Sequence, residues 1–279
     1  MIWAKNKEGE RIKAKPKEEG ICPICESKLV PKCGVVKSWH WSHKSLTDCD
    51  SWSEPESEWH LNWKDYFEKE EQEVIMENHI ADVKTKNDLI IEFQNSPISP
   101  DDICDREIFY GNMIWILNGE SIGKGLNIKD KGNYFTLAWK NPPKSWFYSE
   151  KDIYIDMEKE VMEINDLIDD TYERLDMVFD NLKDLINDNP QNFDFSEYEI
   201  EYKTFYGGEK EIKIAYDLWS NTSKELNKLK IRRSMFNSRT IFYIKKLYKK
   251  VPCYGWGYLM YKKDFVKKFG GKNEKEESS

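Results

Sequence analysis

Hydrophobic and polar positions alternate with a period of two over Ile80–Lys84 and again over Leu89–Gln94, with polar Lys86-Asn87-Asp88 between them. This pattern predicts a β-hairpin. With those three residues as its loop, Thr85 faces Leu89 and Asp82 faces Glu92. Asp82, Glu92 and Gln94 then share one face, while Ile91 and Phe93 point to the other. Asn112–Asn118 is apolar through Met-Ile-Trp-Ile-Leu and predicts a buried central strand, and Tyr134–Trp139 predicts another. Acidic residues massed in Ser53-Glu-Pro-Glu-Ser-Glu58 predict a helix from Pro55 to about Glu71. Ser99-Pro100-Asp101-Asp102 supplies an N-cap and an N1 proline for a helix through Tyr110.

From Met157 to Asn187 the apolar residues keep helical spacing, with a break expected between Ile168 and Leu175 and a stop at Asp188-Asn-Pro190. A Gly207-Gly208 turn is then expected between two strands, Tyr198–Phe205 and Glu211–Ala215. Short strands are expected near Met1–Ala4 and Arg11–Ala14, and a disordered tail over Gly270–Ser279.

The chain has 279 residues, 39% of them hydrophobic and 14% aromatic, which implies a folded protein of several modules. No apolar run approaches the ~20 residues that span a bilayer, and Met-Ile-Trp-Ala-Lys has no secretory core, so a cytoplasmic protein without membrane contact is expected. The net charge of −8 is unevenly spread. Residues 150–217 hold 21 acidic and 7 basic residues, whereas 224–272 hold 15 basic and 2 acidic. In that last stretch the lysines alternate with Tyr254, Trp256, Tyr258 and Tyr261. Such a pattern suits phosphate neutralisation and base stacking, or equally a packed sub-domain coated with lysine.

Six cysteines in a chain this long are no disulfide framework. Cys22-Pro-Ile-Cys25 has the spacing of a zinc knuckle, and His40-Trp-Ser-His43 follows as the nearest second pair of ligands. Cys33 and Cys49 leave the set open, because Cys49 can replace one histidine. A structural Zn²⁺ is expected, since small Cys/His modules need metal to fold. At the hairpin, two carboxylates facing each other about 5 Å apart are costly without a cation. Hard oxygen donors of this kind suit Mg²⁺ or Mn²⁺.

The Asp82–x9–Glu92-x-Gln94 pattern resembles a PD-(D/E)XK nuclease core, with Gln94 where the commonest form has lysine. The segments "HIADV…IEFQNSPIS", Arg106-x3-Tyr110, Glu58-Trp-His60…Lys64 and the Cys-Pro-x-Cys…His-x2-His pair resemble the competence protein CoiA family more closely. That resemblance implies an α/β (α+β), restriction-endonuclease-like fold. Its modules are a Cys/His zinc-binding module over 1–52, a PD-(D/E)XK core over 53–141, and a helical and mixed region over 142–279 with a basic aromatic end. It further implies a metal-dependent deoxyribonuclease in which Asp82 and Glu92, with the Phe93 carbonyl, hold the ion and Glu58 joins them from the first helix. Gln94 has no charge and can only orient water or a phosphate oxygen. The missing positive charge would come from Arg106 or Lys84, and Arg106 and Tyr110 would meet substrate. A surface pair of Arg106 with Asp102 stands beside that reading, and His60 either faces substrate or packs.

The expected partner is single- or double-stranded DNA in uptake, recombination or defence. Two other functions stay open: a DNA-binding accessory with a silent centre, and a component of a recombination, competence or defence complex that docks through its acidic helix.

Overall fold

The computed structural model describes residues 1–34, 39–44, 49–53, 55–123, 125–187, 209–236, 239–248 and 252–272. A five-stranded antiparallel sheet comes first: β1 (Trp3–Lys5), β2 (Arg11–Lys13), β3 (Gly20–Ile21), β4 (Lys28–Lys32) and β5 (His40–His43), in spatial order β2-β1-β3-β4-β5. Its small core is Ala4, Ala14, Cys22, Leu29 and Trp41.

The rest of the chain continues as α1 (Glu58–Lys64), β6 (Gln72–Met76), β7 (His79–Lys84), β8 (Ile90–Gln94), α2 (Pro100–Tyr110), β9 (Met113–Asn118), α3 (Gly119–Ile122), β10 (Leu126–Asp130), β11 (Phe135–Trp139) and β12 (Asp152–Asp156). Two long helices follow, α4 (Glu158–Asn187) and α5 (Glu209–Phe236), then β13 (Ile241–Tyr248), β14 (Cys253–Met260) and α6 (Lys262–Lys268). Nine strands form one sheet in the order β10-β11-β14-β13-β12-β9-β8-β7-β6. Among the described strands the β8–β9 and β9–β12 pairs are parallel and the other pairs antiparallel. Trp63 and Phe67 at α1, with Phe265 and Val266 of α6, pack on Val83, Ile91, Phe93, Ile116 and Tyr154. On the opposite face α2 buries Ile103, and Glu107 accepts from the Trp115 indole at 2.8 Å. The architecture is mixed α/β.

The chain divides into two compact units, 1–159 with 239–279, and 160–238. The metal-module sheet and the nine-stranded sheet thus share one unit, and β12, β13, β14 and α6 of the expected C-terminal region belong to it. In the second unit α4 and α5 run antiparallel, joined by Arg174–Glu225 at 3.2 Å and Arg233–Asn165 at 2.6 Å. Helix α4 is continuous where a break was expected.

Several expected elements differ. Helix α1 stops at Lys64, not near Glu71, and the acidic run after it turns into β6. Glu71 is drawn inward there, accepting from Glu68 N and Lys86 N at 3.0 Å each. The strand expected at Glu211–Ala215 is part of α5, because Ile212 and Ile214 alternate only locally inside a longer helical segment. The strand expected at Tyr198–Phe205 and the turn at Gly207-Gly208 lie outside the described residues, as do positions 273–279 of the expected tail. Gly271 and Lys272 are tied back to Val266 O and Tyr66 O.

The β13–β14 ladder carries a bulge between Ile244 and Lys246. Across from it a Cβ on Gly257 would fall 2.0 Å from Tyr243 O, and one on Gly255 2.2 Å from Lys246 O. Backbone cannot retreat from such contacts cheaply. We expect Gly257→Ala to cost roughly 1–3 kcal/mol; an unchanged thermal midpoint would show that the strands do not approach this closely.

Candidate functional site

The chain builds two polar centres inside the first unit. In the first, the turn Cys22–Ser27 between β3 and β4 is closed by Cys22 N donating to Ser27 O at 2.8 Å and Glu26 N to Cys22 O at 3.1 Å. Glu26 takes φ of 57°, the tight left-handed step that brings both cysteines to one side. Cys22, Cys25, His43 and Cys49 gather there, with ligand atoms all within 4.8 Å of one another. Burial raises the Cys25 thiol, but hydrogen bonds from Ser27, Cys49 and His43 outweigh it and bring it down to about 6. Burial, with Cys25 and Cys22 beside it, pushes Cys49 up to about 12. A Zn²⁺ ion held there would relieve this competition by accepting all three sulfurs as thiolates.

The expected ligand His40 does not take part. His40 and His43 lie on one strand at odd separation, so their side chains leave opposite faces. Cys49 fills the fourth place instead, which corrects His-x2-His to a Cys3His cluster. Cys33 packs against the core of that sheet.

The second centre forms where β7 and β8 part. They pair at Val83–Ile91 and Lys84–Ile90, and Thr85 N donates to Leu89 O, so the register sets Asp82 opposite Glu92 as expected. Beyond that point side chains replace the main-chain ladder. Glu92 Oε1 accepts from Asp82 N at 3.1 Å, and Asp82 Oδ2 accepts from Phe93 N at 3.0 Å. On the other side of β7, β6 bulges at Glu73: Gln72 pairs Val83 and Val74 pairs Ala81. Glu73 adopts φ of 46° and turns its carboxylate inward.

Lys64, only 3% exposed, reaches these acids from α1. Its Nζ lies 2.8 Å from Glu56, 2.9 Å from Asp82 and 3.1 Å from Glu73. Burial alone would lower its pKa, but the three carboxylates hold it well above the ordinary lysine value. Burial likewise opposes ionisation of Glu56, yet Lys64 keeps it well below the usual carboxylate range. Arg106 arrives from α2 and donates to Glu92 Oε2 at 3.1 Å and to Trp52 O at 2.8 Å. Burial and the Asp82 charge nevertheless push Glu92 up to about 8. Five carboxylates (Asp50, Glu56, Glu73, Asp82 and Glu92) thus meet three cations (Lys64, Arg106 and the Met1 ammonium, 3.1 Å from Glu56) around a cavity of ≈ 80 Å³. Arg106 lines it, and Arg106 Nε is buried with no acceptor among the described residues.

Of the residues expected here, Asp82, Glu92, Phe93 and Arg106 line the cavity. Arg106 pairs with Glu92, not with Asp102, whose carboxylate accepts from Ser99. Tyr110 packs edge-on against Trp52, and burial with the charges of Glu92 and Asp82 raises its phenol. Glu58 is exposed and lies in a separate shallow pocket with Asn95 and Glu120; Glu56 takes the inward place. Lys84 pairs with Asp88 at 3.2 Å, away from the cavity. Gln94 is buried and donates to Ser96 O at 3.0 Å, outside the cavity lining.

His60 packs: its Nε2 lies 3.0 Å from Phe93 O, so that nitrogen carries the proton and Nδ1 accepts from Ser57. Sequence reasoning missed Glu56, Glu73 and Asp50, which accepts from His79 Nδ1 at 2.8 Å and Ile80 N at 3.0 Å. All three sit in acidic or loop segments that look solvated. The Ser57 cap beside Glu56 was the one usable signal.

Fold and site define a class: a Cys3His sheet that can hold zinc, fused to a mixed α/β sheet with an opposed carboxylate pair. Residues 4–51 match the family model "Competence protein CoiA, N-terminal domain". A 94-residue stretch is 30% identical to Competence protein CoiA of Bacillus subtilis (strain 168), covering 29% of this chain and 25% of that protein. Both matches bear out the CoiA-like resemblance, and this chain's match spans a quarter of that curated relative's length. No solved structure matches. Among the described residues no helix is long and apolar enough to cross a membrane.

We expect elemental analysis to find one zinc per chain. Cys49→Ser should lose it and His40→Ala should keep it; the reverse result would restore the His-x2-His ligand set. Lys64→Met, which leaves three buried carboxylates without their shared cation, should destabilise the fold by about 3–5 kcal/mol. A urea midpoint equal to wild type would show that these acids do not depend on Lys64.

Proposed function

We propose that this protein is a CoiA-like, Mg²⁺- or Mn²⁺-dependent DNA nuclease with a PD-(D/E)XK-type centre at Asp82 and Glu92. One observation carries the reading: two carboxylates face each other where two strands part, in a cavity with more acid than cation. Asp82, Glu92 and the Phe93 carbonyl are hard oxygen donors, and a divalent cation would offset the burial and the Asp82 charge that together push Glu92 up to about 8. When bound, such an ion supplies an activated water and neutralises charge on the scissile phosphate.

The chain's own residues do the positioning. Lys64 fixes Asp82 through Oδ1 and takes the electrostatic place that Gln94 cannot fill. Arg106 fixes Glu92, and its unpartnered Nε is a donor available to a phosphate oxygen. His60 anchors the Phe93 carbonyl and holds α1 on β8. The segment that follows the first sheet supports the centre through Asp50, Trp52 and Glu56.

The second reading, a DNA-binding accessory without cleavage, is favoured by one feature: Lys64 and Arg106 already partner Asp82 and Glu92. Gel assays on single- and double-stranded DNA with and without Mg²⁺ separate the two. We expect Mg²⁺-dependent cleavage, reduced at least about a hundredfold in Asp82→Asn and in Glu92→Gln with the fold intact by circular dichroism. Full cleavage in either variant rejects the centre, and binding without cleavage in wild type favours the accessory.

A further inference from the structure

Strand β14 reads Cys-Tyr-Gly-Trp-Gly-Tyr-Leu-Met, and the pleat sends Cys253, Gly255, Gly257 and Leu259 inward. Tyr254, Trp256 and Tyr258 therefore share the other face, where Tyr254 is 54% and Tyr258 40% exposed. Their neighbours leave the rings open. On β11, Ala138 lies beside Tyr254 and Thr136 beside Trp256; on β13, Tyr248 lies beside Tyr254 and Lys246 beside Trp256. We propose that this end of the sheet binds single-stranded DNA, with successive bases stacked on Tyr254, Trp256 and Tyr258. The proposal rests on the reading of the protein as acting on DNA and names the form of DNA it engages.

Three features select an unpaired strand. Residues two apart on a strand are attached about 6.6 Å from each other, roughly twice the ~3.4 Å rise of stacked nucleotides. Bases must unstack to meet them, which a single strand does and a duplex does not. The rings stand edge to face, Trp256 against Tyr258 at 5.7 Å and against Tyr134 at 6.0 Å, so their faces are not stacked on each other. Lysines interleave with them: Lys246 Nζ lies 5.2 Å from the Tyr248 ring centre, Lys245 5.7 Å from that of Tyr243, and Lys129 is exposed across from Thr136 on β10. Protein-binding surfaces deplete lysine at their core, whereas a phosphate backbone requires it.

The test is fluorescence anisotropy of a labelled oligo-dT of about twenty nucleotides, on the full chain with its zinc and without added Mg²⁺. Tyr254→Ala/Tyr258→Ala should weaken binding at least about tenfold, and Tyr254→Phe/Tyr258→Phe should restore it. A duplex of equal length should change less than about twofold in the same variants. Unchanged oligo-dT affinity, an equal loss on duplex, or oligo-U bound about tenfold more tightly than oligo-dT would each overturn the proposal. Binding lost with the rings but no cleavage under any condition would keep the platform and remove the nuclease; cleavage with ring-independent binding would do the opposite.

Discussion

A buried ammonium has to be surrounded by acids or it loses its charge, and Lys64 meets that requirement from three directions. Glu56 comes from the segment that follows the Cys3His cluster, Glu73 from the bulge in β6, and Asp82 from β7. Glu73 is shared further, because its carboxylate also accepts from Ile2 N and Trp3 N of the first sheet at 2.7–2.9 Å. One cation thus fixes the position of the metal-module sheet on the nine-stranded sheet and the orientation of the carboxylate pair. The segment from Cys49 to Glu56 repeats this logic. Cys49 enters the metal cluster, Asp50 holds His79 and Ile80, Trp52 stacks on His79 at 3.4 Å and accepts from Arg106, and Glu56 meets Lys64. One short segment therefore contributes residues to both the Cys3His cluster and the carboxylate centre.

Two strands that part inside a sheet leave main-chain donors without acceptors, and buried donors must find some. Asp82 and Glu92 are those acceptors, each taking a main-chain amide from the opposite strand. The same bonds fix both carboxylates in orientation, while Lys64 and Arg106 engage Asp82 Oδ1 and Glu92 Oε2. Opposed acids are thus compatible with the fold before any ion binds, at the expense of a Glu92 that resists ionisation.

Local patterns were legible and non-local pairings were not. The hairpin register followed from a three-residue turn and an alternating face, and α2 from Ser99 and Pro100 at its start. The metal centre was half legible. Cys-x2-Cys fixes two ligands through one turn, but choosing among His40, His43 and Cys49 needed to know that residues 40–43 form a strand. Glu73 gave no signal, since an inward glutamate in Glu68-Lys-Glu-Glu-Gln-Glu73 looks like any solvated one. Nor does any local rule say that residues 241–260 return to pair with β12 and β11 across nearly a hundred positions. That return depends on matching buried faces across the whole sheet.

It also changes what the net charge means. β12 and β13 are antiparallel neighbours, so the helical unit at 160–238 is an insertion between two strands that would pair without it. Residues 160–238 hold 18 acidic and 10 basic side chains, which is the whole of the chain's −8, and leave 33 of each sign in the unit built on the two sheets. An acidic isoelectric balance, taken for the chain as a whole, argues against a polyanionic partner. Taken for the sheet-bearing unit it argues nothing of the kind, because there the charges cancel and only their placement matters. The placement is uneven: acids converge on the cavity between β7 and β8, while exposed lysines stand among the rings of β13 and β14. Under the proposed function, this local separation of acids from lysines removes the need for an overall positive charge, because phosphate contacts depend on where the lysines stand.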